Sequence, residues 1–74
     1  MTGAAPEENG FGVRIASDGR GWRVEILDAA GRVVSDRACR DGHEARTYAS
    51  TVRQHIYWLS AEKFREYYRL GSEV

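Results

Sequence analysis

Apolar and polar residues alternate in the first half of the chain. The segments FGVRIA (11–16) and WRVEIL (22–27) have an apolar residue at every second position. A period of two is typical of a strand with one buried face. RVVSDRAC (32–39) begins with β-branched residues but alternates less clearly. The pattern predicts three strands, and the inward side chains of the first two are Phe11, Val13, Ile15, Trp22, Val24 and Ile26.

Short segments containing glycine connect these strands. SDGRG (17–21) contains Asp-Gly, and DAAG (28–31) ends in Gly. Glycine readily adopts the positive φ that tight hairpin turns require. We therefore expect the three strands to form an antiparallel meander.

After residue 41 the apolar period becomes that of a helix. Asp41 followed by Glu44 resembles a capping box, with Asp in place of Ser or Thr. We predict a long helix over 42–59 on the inner face of the sheet. Its apolar stripe consists of Ala45, Tyr48, Ala49, Val52, Ile56 and Leu59. The residues expected to be mostly buried are Ala45, Tyr48, Val52 and Ile56 of this stripe, together with Val13, Ile15, Trp22, Val24 and Ile26 of the strands.

A second, short helix is predicted over 61–69, with Ser60 as its N-cap and Gly71 as its stop. One continuous helix through Ser60 is the alternative, but Ser60 interrupts the apolar stripe. The predicted fold class is α+β, with a single domain over residues 10–70. Residues 1–9 are expected to be a disordered tail, and residues 71–74 a second tail.

Composition narrows the functions that this chain can have. Its 11 basic residues balance 11 acidic ones, and ten of the basic residues are Arg. An Arg bias of this kind is typical of GC-rich bacterial genomes, so it does not by itself indicate phosphate binding. No apolar run approaches the roughly 18 residues of a membrane span, and no export signal is evident at the N-terminus. We expect a cytoplasmic protein that does not enter a membrane.

Catalytic and metal-binding chemistry is not predicted. Cys39 is the only cysteine, and with His43 and His55 it does not form an evident zinc ligand set. No Ser, Cys or carboxylate stands at a motif spacing from either histidine. Cys39 is expected to be a small core residue. The sequence thus indicates neither an enzyme nor a cofactor nor a small-molecule substrate.

The order strand, strand, strand, helix resembles the arm-type DNA-binding domain of phage tyrosine integrases, and more distantly the plant AP2 domain. The similarity covers residues 11–55 and rests on Trp22, on Asp28 with Gly31, and on Glu44-Ala45-Arg46. That family reads DNA with the outer face of its sheet. The resemblance implies nucleic-acid contacts by Arg14, Arg23 and Arg37. Residues 11–59 are only weakly basic, with eight Arg against six acidic residues, a net charge of +2.

The three arginines also have a simpler interpretation, which we favour. Arg14 can form a cross-strand ion pair with Glu25, so the outer face would be an ordinary solvated surface. Nucleic-acid binding by this face is therefore the alternative function.

Five of the eight aromatic residues lie between positions 55 and 70. Burying all of them under one short helix is difficult in a monomer, and Trp and Tyr are enriched at interface hot spots. A second small core is the competing interpretation. We predict a small binding or regulatory module that contacts a protein partner or a second copy of itself, with a homodimer favoured. The predicted contact residues are Tyr57, Trp58, Phe64, Tyr67 and Tyr68.

Overall fold

The computed structural model describes residues 9–70. A three-stranded antiparallel sheet is followed by a long and a short helix, and the strand order is β1-β2-β3. The predicted α+β meander is confirmed, and every boundary lies within one residue of the prediction. The elements are β1 (Gly12–Ser17), β2 (Trp22–Leu27), β3 (Val33–Cys39), α1 (Gly42–Trp58) and α2 (Ala61–Tyr68).

The second hairpin turn is held by one aspartate. The Asp28 carboxylate accepts hydrogen bonds from the backbone N–H groups of Ala30 and Arg32, both at 2.9 Å. These bonds, the one from Arg32 N–H foremost, lower the pKa of Asp28. Gly31 has φ of 86°, a left-handed conformation that favours glycine. The chain thus reverses tightly at the turn that DAAG predicts.

The sheet register aligns the apolar residues of β1 and β2. Val13 pairs with Ile26, and Ile15 pairs with Val24. Because partners in an antiparallel pair lie on the same face, these four side chains form one apolar surface. Val24 and Ile26 on the central strand are buried, whereas Val13 and Ile15 on the edge strand are half-buried.

Helix α1 begins at a side-chain cap and lies on the apolar face of the sheet. The Asp41 carboxylate accepts from the backbone N–H of Glu44 at 2.9 Å, as the capping signal predicts. The buried residues of α1 are Ala45, Ala49, Val52 and Ile56. The helix packs mainly over β1 and β2. For this reason Tyr48 is only half-buried, although it was expected to be mostly buried. Val13 and Ile15 on the edge strand and Trp22 at the first position of β2 were also expected to be mostly buried, and they too are half-buried.

Helix α2 is a separate element. Leu59 is extended, and the hydroxyl of Ser60 accepts from the backbone N–H of Lys63 at 3.2 Å. The predicted break at Ser60 is therefore confirmed. The stop residue is Arg69, which has the left-handed φ of 57°. Gly71, the predicted stop, lies outside the described residues.

The end of α2 brings Leu70 into the core, which the sequence analysis did not foresee. The N–H of Arg69 donates to the carbonyl of Glu66, and that of Leu70 donates to the carbonyl of Arg65. This pair of bonds is a Schellman motif, which commonly carries an apolar contact between its last residue and the helix. Leu70 is buried in one cluster with Phe64, Ile26, Val52 and Ile56.

The predicted tails lie outside the described residues, apart from residue 9. The side chain of Asn9 donates to the carbonyl of Leu59 at 3.0 Å and accepts from the N–H of Phe11 at 3.1 Å. Asn9 therefore belongs to the folded domain rather than to the tail.

Candidate interaction surfaces

The C-terminal aromatic residues divide into a buried and an exposed group. Phe64 is 0% exposed and stacks on Phe11 with ring centroids 4.7 Å apart. A side chain with no accessible surface contacts no partner, so the prediction of Phe64 as a contact residue is wrong. Tyr68 is half-buried against the same cluster. In contrast, Trp58 is 75% exposed, Tyr67 63% and Tyr57 51%.

The exposed aromatics do not form a single patch, because Tyr57 and Trp58 lie on different flanks of α1. The Tyr67 ring meets the His55 ring edge-on, with centroids 4.7 Å apart. Trp58 lies three residues after His55 and hence on the same flank of the helix. Tyr57 is turned about 100° from Trp58 around the helix axis, and with Arg53 it lines a shallow groove beside β1. We call Trp58, Tyr67 and His55 together the aromatic patch.

Polar and ring contacts hold the base of this patch. The Tyr68 hydroxyl lies 2.6 Å from Nδ1 of His55. The Tyr67 and Tyr68 rings meet edge-on at 4.9 Å. Burial, with smaller contributions from the neighbouring phenols of Tyr48 and Tyr67, raises the pKa of Tyr68 to about 12. Tyr68 is thus protonated at neutral pH and links α2 to α1 through its contact with His55. Tyr67 is held between the rings of His55 and Tyr68.

On the outer face of the sheet the arginines are ion-paired. Arg14 contacts the Glu25 carboxylate at 2.6 Å, and Arg23 approaches Glu25 at 3.7 Å and Asp18 at 3.4 Å. The predicted cross-strand ion pair of Arg14 with Glu25 is confirmed. Asp36 lies opposite Glu25 on the same face. Both arginines therefore contact carboxylates, and the charges on the strands of this face, Arg14 and Arg23 against Glu25 and Asp36, sum to zero.

Arg37 does not belong to this face. It pairs in register with Val24, whose side chain is buried beneath α1, so Arg37 lies on the helix side of β3. Its guanidinium carbon is 4.8 Å from the centroid of the Tyr48 ring. The placement of Arg37 beside Arg14 and Arg23 on the outer face is therefore wrong. Counting back in steps of two from the apolar Cys39 would have revealed its true face.

Cys39, His43 and His55 are the three residues that the sequence offered as candidates for catalysis or metal binding. Cys39 is buried among Val24, Ala45 and Ala49, which confirms it as a core residue. His55 forms a hydrogen bond with the Tyr68 hydroxyl, and His43 is exposed in the first turn of α1. Within residues 9–70, no group of three His, Cys, Asp or Glu side chains is placed to hold a metal ion.

No protein-family model, curated protein or solved structure matches this chain. The resemblance to integrase arm-type domains therefore stays a prediction. Among the described residues, neither helix has the length and apolar character needed to cross a membrane.

Proposed function

We propose that this protein is a non-enzymatic interaction module that self-associates through its aromatic patch. The observation that carries the proposal is the exposure of Trp58, of which 75% is accessible. Trp is among the residues most enriched at interface hot spots. The core beneath α2 is already filled by Phe64 and Leu70, so packing within one chain gives Trp58 no role.

The patch is suited to binding because part of it is already ordered. Tyr67 contacts the rings of both His55 and Tyr68. Ordering a side chain at an interface costs about 0.5–1.5 kcal/mol, and prior contacts reduce that cost. Aromatic rings also provide large apolar area with few rotatable bonds.

A second copy of the chain is the proposed occupant. Closed twofold dimers are the commonest assembly, and in them the same surface contributes from both subunits. A twofold axis near Trp58 would bring each indole against the Tyr67 region of the other copy. Such contact would remove both rings from water in a domain too small to have much stability to spare.

Sedimentation of the intact chain over a range of micromolar concentrations tests the proposal. We expect a concentration-dependent dimer. Trp58→Ala should weaken it by about 2 kcal/mol if the indole is a hot spot. Tyr57→Ala is the matched control, since Tyr57 is exposed on the other flank of α1, and it should leave the dimer intact. A strict monomer at every concentration, or equal weakening by both variants, would show that the aromatic patch is not a dimer interface.

DNA binding by the outer face is the other function that the sequence suggests. A DNA-binding surface needs a cluster of cations facing the phosphates. Arg14 and Arg23 instead face carboxylates, and the charged residues on the strands of this face sum to zero. These contacts argue against DNA binding by the outer face.

A further inference from the structure

A groove lies between β3 and α1, on the side of the helix that carries the aromatic patch. Because α1 packs mainly over β1 and β2, the helix side of β3 is left partly uncovered. The groove has a volume of about 360 Å³ and is open to solvent. Its walls are formed by Arg37, Arg40, His43, Glu44, Thr47, Tyr48 and Thr51.

Arg37 is the central cation of this groove. No carboxylate among residues 9–70 forms an ion pair with it, in contrast to Arg14 and Arg23. Its guanidinium is stacked over the Tyr48 ring at 4.8 Å. Stacking on an aromatic face positions a guanidinium while its in-plane N–H groups stay available for a carboxylate. Arg37 is therefore a prepositioned anion contact.

The charged side chains of the whole groove lining, Arg37 included, sum to +1. Arg40 is 85% exposed at the side chain, and its Nε lies 3.6 Å from Glu44 Oε1. Glu44 is the only carboxylate in the lining, against two guanidinium groups. The hydroxyls of Thr47, Tyr48 and Thr51 add polar groups that can donate or accept. The lining thus has the charge and donors to complement an acidic ligand.

We propose that this groove binds a short acidic segment of a partner protein in extended conformation. From Glu44 to Thr51 the helix advances about 10 Å at 1.5 Å per residue, which matches about three residues of extended chain. One or two carboxylates of such a segment would lie against Arg37 and Arg40. A small free anion would use only part of this length, and two guanidinium groups are few for tracking a nucleic-acid backbone.

The proposal is independent of self-association. Trp58 lies seven residues beyond Thr51, which is about 10 Å farther along α1. Loss of the dimer therefore leaves the groove lining in place, and loss of groove binding leaves the dimer in place. Sedimentation reports the first property, and a peptide titration reports the second.

The test is a titration of the uniformly ¹⁵N-labelled intact chain with a capped tetraglutamate peptide, followed by NMR. We expect saturable shifts of the amide signals of Arg37, Thr47 and Thr51. Arg37→Gln should weaken binding about tenfold, the size expected for a lost charge-assisted hydrogen bond. Arg40→Gln should weaken it in the same direction. Arg53→Gln is the matched control, because it removes the same charge from the opposite flank of α1 and should have no effect.

Three further probes distinguish the occupants. A capped tetraglutamine peptide should not bind. If inorganic phosphate shifts the same amide signals and binds as tightly as the tetraglutamate peptide, the groove is a site for small anions, and the proposal is overturned. Tighter, Arg37-dependent binding of an oligothymidylate would overturn it in favour of single-stranded nucleic acid. Equal weakening by Arg37→Gln and Arg53→Gln would show only general charge attraction, and would also overturn it.

Discussion

The hydroxyl of Tyr68 lies 2.6 Å from Nδ1 of His55, and this contact joins the two helices. It links the last turn of α2 to the last turn of α1, across the break at Ser60. Phe64 packs on the same side of α2 and is completely buried. The short helix is therefore held by one apolar and one polar anchor, and the position of Tyr67 in the aromatic patch depends on both.

Tyr68→Phe should make the protein less stable at neutral pH and less sensitive to alkali. The folded pKa of Tyr68, about 12, exceeds the ordinary value of 10.0. A raised pKa means that the folded state favours the protonated phenol. Its stabilising contribution is then complete below pH 10 and declines as the pH rises from 10 toward 12. Urea unfolding across this alkaline range should show a steeper loss for the wild-type chain than for Tyr68→Phe.

At neutral pH the same substitution removes one partially buried hydrogen bond, which is worth about 1 kcal/mol. Tyr57→Phe is the control, because Tyr57 is half exposed on the opposite flank of α1. Its effect on stability should be close to zero. If the two variants lose equal stability, the link to His55 has no structural role. If the alkaline transitions of wild type and Tyr68→Phe coincide, burial does not raise the pKa of Tyr68.

Phe64→Ala should prevent stable folding. The substitution empties a completely buried site that contacts Phe11 and Tyr68. Replacing a buried Phe with Ala costs about 3–5 kcal/mol, a large part of the stability of a small domain. Circular dichroism and thermal melting would measure the loss, with Phe64→Leu as a milder control. A variant with an unchanged melting temperature would contradict the placement of Phe64 in the core.

Most of the fold could be predicted because its signals are local. The alternation of β1 and β2, the Asp41 cap and the Ser60 cap each depend on residues close together in the chain. The partial exposure of Tyr48 could not be predicted in this way. It depends on where one helix settles across three strands, which is a property of the whole packed molecule.

The candidate surfaces were predicted less well, for related reasons. Position along the chain does not distinguish Phe64 from Tyr67, although one is buried and the other exposed. Counted from the second turn, the face of Arg37 depends on the register past an irregularity between Ile26 and Leu27, which a count from Cys39 does not cross. A one-residue offset in register moves a side chain to the other face of a sheet. Leu70 follows the helix and enters the core only because Arg69 turns the chain back.

Arg69→Gly should stabilise the protein. Arg69 has φ of 57° and ψ of 47° at the end of α2, a conformation that costs a non-glycine residue about 1–2 kcal/mol. Glycine adopts it without that strain, and the Schellman bonds use only the backbone. The gain is reduced because glycine also has more freedom in the unfolded chain. Chemical denaturation should show a modest increase, of at most about 1 kcal/mol. Arg65→Gly, within the same helix, should instead be destabilising.

Arg14→Ala and Arg23→Ala should leave any binding to duplex DNA unchanged. Both side chains contact Glu25, whose side chain is only 11% exposed. To reach a phosphate, either arginine must leave that carboxylate with one less partner, which is costly for a largely buried charge. Binding isotherms at several salt concentrations measure the number of phosphate contacts, because each contact contributes about one unit to the slope of log affinity against log salt. A slope reduced by about one unit in either variant would place that arginine on DNA. Equal slopes for both variants and the wild-type chain are expected, since the strands of the outer face carry no excess of positive charge.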